Sequence, residues 1–302
     1  MKGSIRENAK IGLVHHMLYP ACTGDEAFHV ETLASFVKRT DIDTFDCCVP
    51  YGADARKKAT AIVTSAGKPV CYATHLIPLR KLSCASLLPN EQGIMRMLMI
   101  DQLDAAKAVG AKEMIFASGA DAAAGKRAEA LAMFKDFCVF LCTEAKKRGI
   151  TVLLEPFDTD FDKKFLMGPT TECVNLIHSL EPKIDNLGIE LDMAHIPLMH
   201  ETFDQAIRTV APYLKRVHLG NCVMKDASNP WYGDNHPPMG IEGGEIDVPV
   251  LTEILRILVD IGYIGKDNKG TLVVEMQPFP GRSVDETIAD NFRRLDEAWE
   301  SV

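Results

Sequence analysis

Four short apolar runs in the second half of the chain each deliver one side chain that seeks metal. TVLLE ends at Glu155, LGIELD at Asp192, LKRVHL carries His218, and TLVVE ends at Glu275. A carboxylate at the end of a buried strand must be paired or metal-bound, because burying it alone is costly. Taken singly, each of these residues also fits a strand-end cap or an ion pair at a barrel rim. Four in succession require a fold that gathers strand ends in one place. A parallel barrel does this at the C-terminal face of its strands.

The rest of the chain keeps the same rhythm. Strand-like runs occur at Ile11–His16, Asp43–Cys48, Pro69–His75 and Glu113–Ala117, before the four already named. Helical periodicity follows each: Glu26–Lys38, Asp54–Ala66, Glu91–Val109, Lys126–Arg148, Thr171–Leu180 and Phe203–Tyr213. Asp247 then caps a helix that ends at Gly262, and Ser283 with Glu286 forms a capping box for the last one. Eight βα units with no linker or low-complexity segment predict an α/β fold, a single (β/α)8 TIM barrel with eight parallel strands, occupying residues 1–302 as one domain. An open doubly wound sheet usually has a Gly-rich turn after its first strand, and HHMLYPACTG is not one.

Charge narrows the partners. The net charge of −9 disfavours nucleic acid and anionic membrane, which need clustered Lys and Arg. No apolar run approaches the length of a membrane span. There are nine Cys, an odd number with no CxxC, and MKGSIRENAKIG lacks the apolar core of a secretory leader. The expectation is reduced, mostly buried thiols in a cytoplasmic protein.

Three carboxylates and an imidazole form a hard, oxygen-rich donor set. It suits one divalent cation, Mn2+ first, with Mg2+ or Co2+ as alternatives. Without a cation the three negative charges would repel one another. His195 lies three residues after Asp192 and is a candidate substrate contact. The loop from Gly220 to Glu245 is long for a compact fold and therefore of functional interest. It carries Trp231, Asp234 and His236 as candidate substrate contacts, with Tyr232 beside them; Asp234 and His236 also suit a further metal. Alternation lets only one of His15 and His16 point inward, and His75 ends the third run. Lys163 and Lys164 read as a solvated loop, although either could meet a carbonyl or a phosphate.

At LLEPFD, ELDMAH, RVHLGN and VVEMQP the chain resembles the xylose-isomerase-like barrels, the sugar isomerase and epimerase superfamily, over essentially its whole length. The resemblance implies that Glu155, Asp192, His218 and Glu275 hold one divalent metal. In the ketose 3-epimerase branch it further implies that Glu155 and Glu275 exchange protons with substrate. There are departures. Gly220-Asn221-Cys222 stands where the epimerases follow the histidine with an acid and an arginine. Asp234-Asn235-His236 is similar to the DxH of the endonuclease IV barrels, whose three-zinc cluster needs several more His. HLGNCVMKD, YGDNHPPMGIEGGEID and EPFDTDFDKK look most like the α subunits of bacterial C-glycoside deglycosidases. That likeness implies a carbon–carbon lyase on 3-oxo-C-glucosides with an aromatic aglycone, working beside a small β subunit, with Glu155, Glu275 and His195 catalytic and either His195 or His236 protonating the aglycone. The alternative is a keto-sugar epimerase or isomerase built on the same four residues. A non-catalytic sugar-binding barrel would need the metal set to be empty.

Overall fold

The computed structural model describes residues 3–74 and 81–302. His75 lies outside the described residues. Eight strands close into a parallel barrel in chain order: β1 Lys10–Val14, β2 Thr44–Cys47, β3 Val70–Ala73, β4 Glu113–Phe116, β5 Thr151–Leu154, β6 Leu187–Asp192, β7 Leu214–Leu219 and β8 Thr271–Val274. β1 pairs with β8 to complete the ring. Among the described residues, eight longer helices follow the strands in turn: α1 Glu26–Phe36, α2 Ala53–Ser65, α3 Pro89–Ala108, α4 Arg127–Lys146, α5 Thr170–Ser179, α6 Phe203–Val210, α7 Val248–Asp260 and α8 Val284–Glu300. The (β/α)8 expectation is met.

Local chemistry explains where these helices begin. Asp25 accepts from the amides of Ala27 and Phe28 at the start of α1, and Thr202 caps α6 through Gln205. Asp247 caps α7, and Ser283 with Glu286 forms the full capping box of α8. Each such cap contributes about 1 kcal/mol. α8 buries Ile288, Phe292, Leu295 and Trp299 on one stripe, as its periodicity predicts. All nine cysteines are buried and free. Among the described residues no helix is long and apolar enough to cross a membrane.

One strand end differs from expectation. β1 stops at Val14, and His15 and His16 open a one-turn helix, His15–Leu18. Only one of the pair still faces inward. His16 reaches the cavity at the strand ends, while His15 packs outward against Thr32 and Phe36.

Alternation along the strands places Glu190 and Asp192 of β6 on one face, and Arg216 and His218 of β7 on one face. The β6–β7 register pairs Glu190 with Arg216 and Asp192 with His218. Charged side chains thus stack in two layers near the mouth of the barrel.

Candidate metal centre

Asp192 is the last residue of β6, His218 lies near the end of β7, and Glu275 directly follows β8. Each offers one ligand atom, and these atoms all lie within 4.8 Å of one another. His218 Nδ1 meets the Glu275 carboxylate, and its Nε2 lies 2.9 Å from Asp46 Oδ2. Asp192 Oδ1 is held by the amides of Ala194 (2.7 Å) and Gly220 (3.1 Å). Its Oδ2 has no hydrogen-bond partner among the described residues.

Asp192 also belongs to a second group. It lies with His195 and His236, again with ligand atoms within 4.8 Å. Asp234 Oδ1 sits 3.3 Å from His195 Nε2 and 2.9 Å from His236 Nε2. His195 Nδ1 must donate to the Pro156 carbonyl at 3.0 Å, which points Nε2 toward these acids. Among the described residues, three buried polar atoms here lack a hydrogen-bond partner: Glu190 Oε2, Asp192 Oδ2 and His236 Nδ1. Buried polar atoms are nearly always satisfied, so this density of orphans fits a cation. The donor set is carboxylate and imidazole, as a hard divalent ion prefers.

Glu155 follows β5 and faces the same cavity, but it stands outside both three-residue groups. Its Oε1 is 3.6 Å from His195 Nδ1. Burial pushes its carboxyl up to about 8, and the nearby Glu275 and Asp192 charges add to the rise, against His195. Glu275 goes the other way. Burial opposes its ionisation, but His218 and His236 outweigh that and hold it at about 2. Burial also raises Glu190 well above the carboxylate range and raises Asp192. His195 and His218 are held well above the imidazole range; burial works against this, and the facing carboxylates overcome it. His236 is raised to about 9 by Asp234 and its acidic neighbours, again against burial.

The cavity holds about 280 Å3 and has two unlike halves. From the β5–β8 side come Glu155, Lys163, His218, Asp234, His236 and Glu275. From the β1–β4 side come chiefly small or apolar groups, among them Met17, Pro20, Ala73, Ile115, Phe116 and Ala117.

Two loops build the charged half. The Asp158 carboxylate accepts the amides of Phe161, Asp162, Lys163 and Lys164, which curls EPFDTDFDKK into a tight turn. Lys163 therefore lines the cavity and does not extend into solvent as the sequence reading has it. Its Nζ meets the Asp234 carbonyl at 2.9 Å and Asp234 Oδ2 at 3.0 Å. In the second loop His236 adopts φ +47°, a left-handed conformation that non-glycine residues rarely keep without support. Gln277 supplies that support by donating its backbone N–H to the His236 carbonyl at 2.8 Å.

The expected substrate contacts divide accordingly. Asp234 and His236 reach the cavity wall. His195 is fully buried behind that wall, packed on Phe157 with ring centroids 4.1 Å apart, and is not among the lining residues. Trp231 does not line the cavity either, and the neighbouring Tyr232 ring packs on Phe161. Sequence reasoning missed Asp46, Glu190 and Arg216. The signal for two of them was parity, since each lies two residues before a named ligand on the same strand.

Gly220 makes room for Asp192. A Cβ at this position would lie 2.5 Å from Asp192 Oδ1 and 2.9 Å from Ala194 Cβ. Gly220→Ala is expected to displace the carboxylate and weaken divalent-metal affinity about 10-fold or more, comparable to loss of a metal site's supporting contacts. Competition against a chromogenic chelator measures this, and unchanged affinity would contradict it.

A family described as xylose isomerase-like TIM barrel matches residues 35–298. No curated protein matches the sequence. Among solved structures, a D-tagatose 3-epimerase-like protein is 16% identical, with a TM-score of 0.71, covering 96% of this chain and 98% of its own. The 3-keto-D-glucoside 4-epimerase from E. coli is 15% identical, with a TM-score of 0.68, covering 94% of this chain and 99% of its own. A family 2 AP endonuclease from Brucella melitensis is also 15% identical at a TM-score of 0.68, covering 94% and 98%.

Proposed function

The chain belongs to the xylose isomerase-like TIM-barrel family, and on that footing we propose that it is a divalent-metal-dependent epimerase or isomerase of a keto-sugar. One observation carries this reading. Two carboxyl groups from β5 and β8 face one cavity, and their surroundings pull their proton affinities apart, to about 8 and about 2. Such a split assigns acid and base. Asp192, His218 and Glu275 would hold the cation, with Mn2+ the expected metal. When bound, the cation polarises the sugar carbonyl and so acidifies the proton on the adjacent carbon. Glu275, ionised through the neutral range, takes that proton at a carboxylate oxygen. Glu155, still protonated at pH 7, gives one back to the carbon. β5 and β8 are separated by β6 and β7, which lets the two carboxyls address the substrate from different sides. The structural likeness to two sugar epimerases supports the same chemistry.

The apolar half of the cavity favours a second reading, a carbon–carbon lyase on 3-oxo-C-glucosides. Met17, Pro20, Ile115 and Phe116 could house an aromatic aglycone, a role that Trp231 is not positioned to fill. A small partner subunit goes with this reading.

Incubation of Mn2+-loaded protein with D-tagatose, D-psicose, D-fructose and a 3-oxo-glucoside in D2O distinguishes them. The epimerase reading expects deuterium on the carbon next to the carbonyl, stopped by EDTA and restored by Mn2+. The rate should fall with rising pH once Glu155, whose carboxyl burial holds above the usual carboxylate range, loses the proton it delivers. Free aglycone from a 3-oxo-C-glucoside without sugar deuteration would select the lyase. No exchange and no release by metal-loaded protein would overturn both.

A further inference from the structure

Beneath the metal cluster, three side chains from opposite sides of the barrel are joined in a chain. Asp46 of β2 is 0% exposed, and Arg216 of β7 is 3% exposed. Arg216 grips Asp46 with both arms of its guanidinium: Nε lies 2.9 Å from Oδ2, and Nη2 contacts Oδ1. Arg216 Nη1 is in turn held by Glu113 Oε2 at 2.9 Å, and Nη2 reaches Thr44 Oγ1 at 3.4 Å. Asp46 Oδ2 also faces His218 Nε2 at 2.9 Å. β2 is separated from β7 by β1 and β8, so this contact crosses the barrel interior. Nothing in the motif VHLGN discloses it.

We propose that Asp46 is a positioning residue for His218, with Arg216 locking the Asp46 carboxylate in place. The proposal rests on the metal reading above and deepens it. An ionised carboxylate can only accept, so the contact requires His218 Nε2 to carry the hydrogen. When a cation takes the place of the other ring proton, the lone pair offered to it lies on Nδ1, the nitrogen that faces Glu275 and stands 3.5 Å from Glu190 Oε1. A histidine ligand oriented through its second nitrogen typically loses 10–100-fold in metal affinity when that support is removed. A neutral or merely space-filling residue at position 46 could not set the tautomer.

The test uses Zn2+, which is diamagnetic, and protein labelled with 15N-histidine. In Zn2+-loaded wild type, long-range 1H–15N correlation should show His218 protonated at Nε2 only. Asp46→Asn keeps the shape. Arg216 carries only donors and would draw the amide oxygen, which turns the amide NH2 toward His218 Nε2. That NH2 donates, so His218 should switch to the Nδ1–H tautomer and Zn2+ affinity should fall 10–100-fold. Glu113→Gln keeps an oxygen acceptor for Arg216 Nη1 and leaves the Arg216–Asp46 and Asp46–His218 contacts in place, and should stay within about twofold of wild type. Folded Asp46→Asn protein with wild-type affinity and tautomer would overturn the proposal. So would an equal loss in Glu113→Gln, which would mark a general packing effect. If Asp46→Asn fails to fold, the wild-type spectrum decides: an Nδ1–H His218 in the Zn2+ complex overturns the proposal. Failure of the wild type to take up any Zn2+ is a different result, which sinks the metal reading and this proposal with it.

Discussion

Glu275→Gln is expected to reduce deuterium exchange into substrate by about 10²–10⁴-fold, the range for loss of a positioned acid or base. The substitution keeps the side chain's shape and removes the one property the site is built to maintain. Glu275 stays ionised despite burial because His218 and His236 face it. The amide carries no charge and cannot take a proton from carbon. Metal occupancy should fall as well, since Asp192 and His218 would be left as a two-residue remnant of the first donor set. Elemental analysis beside the exchange rate checks both parts. Wild-type exchange in Glu275→Gln would remove this residue from the chemistry. Normal metal content with lost exchange would separate its role as base from its role as ligand.

Arg216→Met is expected to cost stability on the order of 3–5 kcal/mol, the range for breaking a buried ion pair on one side. Asp46 would be left buried without its guanidinium, and Glu113 would lose the same partner. The urea midpoint should fall with little change in slope, since the folded surface is unchanged. A double variant, Asp46→Leu with Arg216→Met, should recover much of the loss, because an apolar replacement of a whole buried pair is often neutral. That double variant would still lack the support beneath His218. It should therefore be nearly as stable as the parent and bind metal poorly. A small effect of Arg216→Met alone would mean that water compensates these acids.

The barrel and the convergence of Asp192, His218 and Glu275 into one candidate metal group were legible in the sequence because both follow from local rules. Apolar runs of strand length, alternating with helical stripes, name the fold. A polar residue at the end of such a run names the mouth of the barrel. What could not be read was pairing across the ring. Asp46 sits in FDCC and Arg216 in LKRVH, 170 residues apart, and either passes for an ordinary surface charge. Parity with His218 turns Arg216 inward, but no periodicity says that β2 supplies its partner. The loops were legible only in part. Their length marked the stretch after β7 as important, yet burial carried His195 behind the wall and packing left Trp231 outside the cavity. Lys163 was misread because the curl that brings it inward depends on a single carboxylate, Asp158, gathering four amides.

The two unlike halves of the cavity separate what the site does from what it admits. Reactive groups arrive from the last four strands, whereas the first four contribute mostly contour through residues as small as Ala73 and Ala117. A lineage with this layout can change its diet by swelling or trimming a few side chains on one flank. The opposite flank, where each charge depends on its neighbours, is left undisturbed.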